Sequence, residues 1–257
     1  MRAAGGDGSS TDAPCRIASD VASVLHMKTL GIVGGIAPAS TIEYYKYLID
    51  AYRQTSPGGE YPSIVINSID PRRMLGMMEA GDTAGTVEYL VAALRVLGKS
   101  GVDLALFASN TPHVLFDELR RLSPVPLVSI VDAARDEAVR RGFHRVGLLG
   151  TAFTMRATFY RDAFAAAGIT LVAPDAADIE LVHEKYMTEL VPGVYRDDTR
   201  AAVIAVIDRM NAAHRLDGMV FGGTELPLLI PPESHPELAI LDTMRAHVDA
   251  AVSLLLA

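Results

Sequence analysis

Two stretches of this chain repeat each other. Phe107-Ala108-Ser109-Asn110-Thr111 and Phe221-Gly222-Gly223-Thr224-Glu225 each close an apolar run, with an aspartate four residues before the phenylalanine, Asp103 and Asp217. The match extends upstream: Gly31-Ile32-Val33-Gly34, followed by Tyr44-Tyr45, echoes Gly147-Leu148-Leu149-Gly150, followed by Phe159-Tyr160. A duplicated strand–loop–helix unit confines the chain to an α/β architecture. Two short loops rich in Gly, Asn and Thr, facing each other, make a pocket with two sides.

From Thr29 onward, short β-branched runs alternate with longer helical segments, as a mostly parallel sheet flanked by helices requires. The pattern predicts strands near 29–33, 63–67, 103–107, 127–130, 145–149, 170–172 and 218–221. It predicts helices near 40–54, 71–78, 82–99, 112–121, 131–141, 154–167, 178–191, 197–213 and 240–256. The expected fold class is α/β, with two pseudo-symmetric domains and a site in the cleft between them. The expected divisions are an N-terminal extension over 1–26, a first domain over 27–127 completed by a C-terminal helix in 234–257, and a second domain over 128–233. Ligands of open α/β sheets gather at the carboxyl ends of strands, so the loops near 34–41, 67–73, 108–113, 150–154 and 222–227 are the candidate site.

Composition narrows the partners. Half of the 257 residues are hydrophobic and the formal net charge is −8, which suits a globular protein and argues against nucleic acid or an anionic membrane as a partner. The single cysteine, Cys15, allows no intrachain disulfide and no cysteine-based zinc site, so a reducing cytoplasm is the expected location. No signal peptide and no membrane-spanning helix are expected, because no apolar run is long enough.

The candidate residues follow from the loops. Gly34-Gly35 and Pro38 to Thr41 join a strand to a helix, where Gly35 allows close approach of an anion to backbone N–H groups. A tight turn with Ser40 as helix cap explains the same residues. Thr151 with Thr154 repeats the device in the second half. Asn110, Thr111 and Thr224 offer amide and hydroxyl groups for a carboxylate, and helix capping is their alternative role. Arg72, after Asp70-Pro71 at another strand end, offers a bidentate partner for an acid; a solvated surface charge is the alternative. Glu225 is the acidic side chain of the paired loops. His113, His183 and His247 lack metal-ligand spacing, and packing or capping is expected of each. Lys185 and Glu189 lie near the end of a helix that could cover the cleft.

From Met27 onward, the ordered set of these pieces resembles the aspartate/glutamate racemase family. The resemblance is carried by Gly34-Gly35 with Pro38 and Ser40-Thr41, Asn110-Thr111-Pro112-His113, Leu148 to Met155 with Phe159-Tyr160, Thr224-Glu225-Leu226-Pro227-Leu228-Leu229, and Asp242-Thr243 with His247. It implies two similar α/β domains, a site between them, a small amino or dicarboxylic acid as ligand, no pyridoxal phosphate, no other cofactor, no metal and a homodimer. It also implies that Asn110, Thr111, Thr151 and Thr224 hold the α-carboxylate and amino group, and that Arg72 reaches a side-chain carboxylate.

In the family a cysteine precedes each of the two loop motifs, one thiol on each face of the substrate carbon. Here Ser109 and Gly223 stand at those positions. A serine hydroxyl is a far weaker acid than a thiol of pKa ~8.5, and glycine has no group to offer, so the two-thiol reaction is not expected. The expected function is a cofactor-independent isomerase, or a related lyase with altered chemistry, in which Ser109, Thr224 and Glu225 are the polar groups available and Gly223 marks a lost catalytic position. The alternatives are a binder or sensor of a small carboxylate without turnover, and a residual one-sided isomerase.

Overall fold

The structure, a computed structural model, describes residues 27–236 and 239–257. The expected extension over 1–26, with Cys15 in it, lies outside the described residues.

The first half starts with β1 (Thr29–Gly34), α1 (Pro38–Thr55), β2 (Ser63–Ser68), α2 (Pro71–Glu79), α3 (Thr83–Lys99) and β3 (Leu104–Phe107). A 3₁₀ turn (Thr111–Leu115) leads to α4 (Phe116–Leu122) and α5 (Ile130–Arg140). The second half runs through β4 (Arg145–Gly150), α6 (Ala152–Arg156), α7 (Phe159–Ala166), β5 (Thr170–Val172) and α8 (Ala176–Lys185). A π-helical turn (Tyr186–Leu190) follows, then α9 (Asp197–His214), β6 (Gly218–Gly222), α10 (Leu226–Leu229), β7 (Ile240–Asp242) and α11 (Thr243–Leu256).

The duplication is plain in the sheets. One has the order β2-β1-β3 and the other β5-β4-β6-β7, with every pair parallel. The repeated aspartates explain themselves here. Asp103 accepts from the backbone N–H of Thr29 at 2.7 Å, and Asp217 accepts from those of His144 and Arg145 at 2.7 and 2.8 Å. Each carboxylate therefore fastens the start of the central strand beside it. Those N–H donors hold the Asp217 carboxyl below the usual range.

Two expected elements differ in kind, and the helices expected over 112–121 and 154–167 are each broken in two. Residues 127–130 form a single bridge, Ala105 to Leu127, because Pro126 has no N–H to extend a ladder and Ser129 already caps α5 by accepting from Asp132 N. Residues 240–242, expected as helix, form β7 beside β6; α11 starts only after Asp242, whose carboxylate accepts from Met244 N and Arg245 N.

α11 joins the two halves. Its Met244, Val248, Ala251, Val252 and Leu255 pack with Leu30, Ile32, Tyr44 and Leu48, while its Ala246 packs with Val146, Leu148 and Tyr160. His247, fully buried, accepts from Tyr44 Oη at 2.9 Å through Nδ1, and Nε2–H donates to Val128 O at 3.1 Å. Burial pushes its pKa down to about 4, so the ring is neutral.

Candidate active site

The carboxyl ends of β1 and β3 in one sheet and of β4 and β6 in the other meet at one cavity. It is lined by Ile36 and Ala37 after β1, Ser109, Asn110 and Thr111 after β3, Thr151 after β4, and Gly222 to Glu225 at the end of β6. Leu75 of α2 and Tyr186, Met187 and Val191 of the π turn and its end complete the wall. The cavity's volume is ≈30 Å³, about the room of one water molecule. A larger groove of ≈550 Å³ runs past Phe116, Asp132 and Phe159. None of the strand-end threonines nor Ser109 lines it, so the small cavity is where the candidate chemistry gathers.

Glu225 is the hub. It is 2% exposed, and its two oxygens accept from three hydroxyls: Ser40 Oγ at 2.6 Å, Thr224 Oγ1 at 3.1 Å and Tyr186 Oη. Such donors compensate a buried carboxylate for the water it has lost. Tyr186 is gripped twice, since Glu225 N–H also donates to its Oη at 3.3 Å. Burial, and then the charge of Glu225, push the Tyr186 phenol far above its ordinary pKa, so its proton stays on. Tyr195 is set near the same carboxylate: burial first, then Glu225 and Glu43, push it up to about 12, and its hydroxyl is buried with no partner among the described residues.

Seven of the residues expected from the sequence come together here: Ser109, Asn110, Thr111, Thr151, Gly223, Thr224 and Glu225. Their side chains are not equally available. Asn110 accepts from Tyr160 Oη at 2.5 Å and donates to Thr243 Oγ1 at 3.2 Å, and Thr151 caps α6 by accepting from Thr154 N. The hydroxyls of Ser109 and Thr111 make no hydrogen bond to another described side chain, so both are open to a ligand.

Gly35 and Arg72 lie outside the lining. Gly35 has φ +84°, and its N–H donates to Thr41 Oγ1 at 2.9 Å, which serves the turn itself. Arg72 is 92% exposed, with Nε 3.7 Å from Asp70. α1 begins at Pro38, where a missing N–H does no harm. Ser40 therefore sits inside the first turn and reaches Glu225 instead of capping.

The histidines hold the frame. His113 Nε2 accepts from Ile130 N at 3.2 Å, and His183 Nδ1 accepts from Ala152 N at 3.2 Å. Lys185 and Glu189 pair at 2.8 Å on the segment that covers the cavity. Sequence reasoning missed Tyr186 and Tyr195. The signal for Tyr186 was Gly223 itself, because a small residue in a buried loop needs some other side chain to fill its space.

Residues 33–251 match the family model described as Asp/Glu/Hydantoin racemase. A solved structure of a candidate Asp/Glu racemase from Yersinia pestis superposes with a TM-score of 0.80 at 30% identity, covering 90% of this chain and 100% of that one. A homologue of aspartate racemase from Pyrococcus horikoshii superposes with a TM-score of 0.75 at 32% identity, with coverage of 90% and 100%. Glutamate racemase of Syntrophus aciditrophicus is 28% identical over 167 residues, which span 60% of this chain and 57% of that protein.

Proposed function

The chain belongs to the Asp/Glu/hydantoin racemase family, and on that premise we propose that it moves a proton at the α-carbon of a small amino or dicarboxylic acid, without a cofactor and without paired thiols. The observation that carries this reading is the convergence of four strand ends, two from each half, on one cavity holding Ser109, Thr111, Thr151, Thr224 and Glu225. Ser109 and Gly223 take the two positions read as those of the family's thiols, and no cysteine occurs between residues 27 and 257.

In this reading Ser109 and Thr111, whose hydroxyls are open, hold the α-carboxylate together with Asn110 and Thr151, while Thr224, whose hydroxyl proton goes to Glu225, accepts from the amino group. Arg72 supplies a guanidinium to a second carboxylate. It stands one helical turn before the cavity-lining Leu75, hence on the same face of α2. An amino acid is several times larger than the cavity, so Met187 and Val191, which line it beside Tyr186, must draw back to admit it. Proteins of this family are read as working in the cytoplasm as homodimers, and both are proposed here.

The test is solvent deuterium exchange with the two enantiomers of aspartate and of glutamate, followed by NMR, with calorimetry on the same four compounds. Deuterium entering the α position supports the reading, and alkylating Cys15 should leave the rate unchanged. Binding without exchange would make the protein a carboxylate binder, and neither would discard the reading.

A further inference from the structure

The place of a side chain at position 223 is already taken. A Cβ added to Gly223 would stand 2.5 Å from Tyr186 Oη and 2.7 and 2.8 Å from two carbons of its ring. Atoms do not approach so closely, so the phenol fills the volume that a larger residue 223 would need. Tyr186 comes from the π turn after α8, lines the same cavity and is gripped by Glu225 through both a donated and an accepted hydrogen bond. π turns inside helices recur at functional sites because they aim one side chain out of helical register.

We propose that Tyr186 and Glu225 are together the acid–base group on the second-loop side of the cavity, a phenol–carboxylate relay beside the bare backbone of Gly223. The proposal rests on the reading of the cavity as a site of proton transfer at carbon. The hydrogen bonds already run in the direction the relay needs. As the substrate Cα–H bond breaks, the proton forms a new O–H bond to Tyr186 Oη, and the phenol's own proton passes to Glu225 Oε2. The electron pair of the C–H bond moves into the substrate's α-carboxylate as an enediolate. Return of a proton by the same path restores phenol and carboxylate, so nothing else is consumed. Ser40 and Thr224, which donate to the same carboxylate, orient it.

The consequence is stereochemical. Ser109, on the first-loop side, has no carboxylate or imidazole hydrogen-bonded to its hydroxyl among the described residues. Only one face then has a base. The enzyme should exchange the α-hydrogen of one enantiomer with its configuration kept, and leave the other enantiomer alone.

The experiment follows L- and D-aspartate and L- and D-glutamate separately in D₂O by NMR and chiral chromatography, with wild type, Tyr186→Phe and Glu225→Gln. Exchange into one enantiomer without inversion is expected, falling about 100-fold or more in each variant, the usual scale for loss of an acid–base group. Exchange into both enantiomers, or with inversion, overturns the relay even if neither variant folds. Exchange by Tyr186→Phe at the wild-type rate overturns it too, and in both cases the proposed function survives. No exchange by wild type with any of the four compounds overturns the function and the relay together.

Discussion

Ser40 donates a 2.6 Å hydrogen bond to Glu225 across 185 residues of chain. The reverse tie is made by Asn110, which accepts from Tyr160 at 2.5 Å and donates to Thr243 at 3.2 Å. Each loop of the candidate site is thus held by a side chain from the opposite half. All five side chains are buried, so these bonds face no competition from water.

Replacing Ser40 by Ala leaves the Glu225 carboxylate with two hydroxyl donors in place of three. Loss of a hydrogen bond to a buried charge costs on the order of 1–3 kcal/mol. Urea denaturation should show a lower midpoint with an unchanged slope, and an unchanged midpoint would mean that the bond contributes nothing.

Gly223→Cys tests how tightly Tyr186 is packed. Gly223 is not among the positive-φ glycines, so its backbone accepts a cysteine; the obstacle is the phenol 2.5 Å away. Overpacking of this kind costs about 1–3 kcal/mol; in a Tyr186→Ala background, itself destabilised by the lost ring and the lost donor to Glu225, the same Gly223→Cys change should cost little. The triple variant Ser109→Cys, Gly223→Cys, Tyr186→Ala then puts a thiol on each side of the cavity. It should racemise an acidic amino acid, though well below the rate of an evolved site, since thiol tuning depends on surroundings. Calorimetric melting and chiral chromatography read the two outcomes.

Acid sensitivity should report His247. Its ring binds a proton below about pH 6.5 when unfolded and only below about 4 when folded. Between those values the unfolded chain holds more protons, so stability is lost as pH falls, by about 3 kcal/mol in all. Asp242 acts oppositely, because burial raises its carboxyl to about 6 and stability is gained as pH drops from there toward its unfolded value. Comparing wild type with His247→Gln isolates the ring. The wild type should lose about 3 kcal/mol relative to the variant between pH 6.5 and 4, and a constant difference would show that the ring does not titrate in this way.

Arg72→Ala should weaken binding of aspartate or glutamate about tenfold or more, and Arg72→Lys should recover little of it, because lysine lacks the planar fork. Titration calorimetry with unchanged affinity would leave Arg72 as an exposed partner of Asp70.

Much of the fold was legible in the sequence because its signals are local. The aspartate four residues before each Phe, the apolar runs and the turn glycines located β1, β3, β4 and β6 and the loops after them. The strand expected at 127–130 failed because Pro126 and the cap at Ser129 leave room for only one bridge. β7 was hidden because Ile240-Leu241 reads equally well as the first turn of a helix until Asp242 is recognised as the cap. At the site, the hydroxyl-bearing loops were legible and the tyrosines were not. Tyr186 lies 39 residues from Glu225, and no periodicity of the chain between them brings a phenol beside that carboxylate.

The placement of α11 also sets an order of events during synthesis. Tyr44 waits for a partner 203 residues further along, since His247 and the apolar face around Val248 and Val252 cover it only once that helix has been made. At ~5–20 residues per second, ribosomal delay alone keeps that face of the first half open for roughly ten seconds or more. The early half therefore carries an uncovered apolar face while the later half is still being translated, and that face is buried only when α11 arrives.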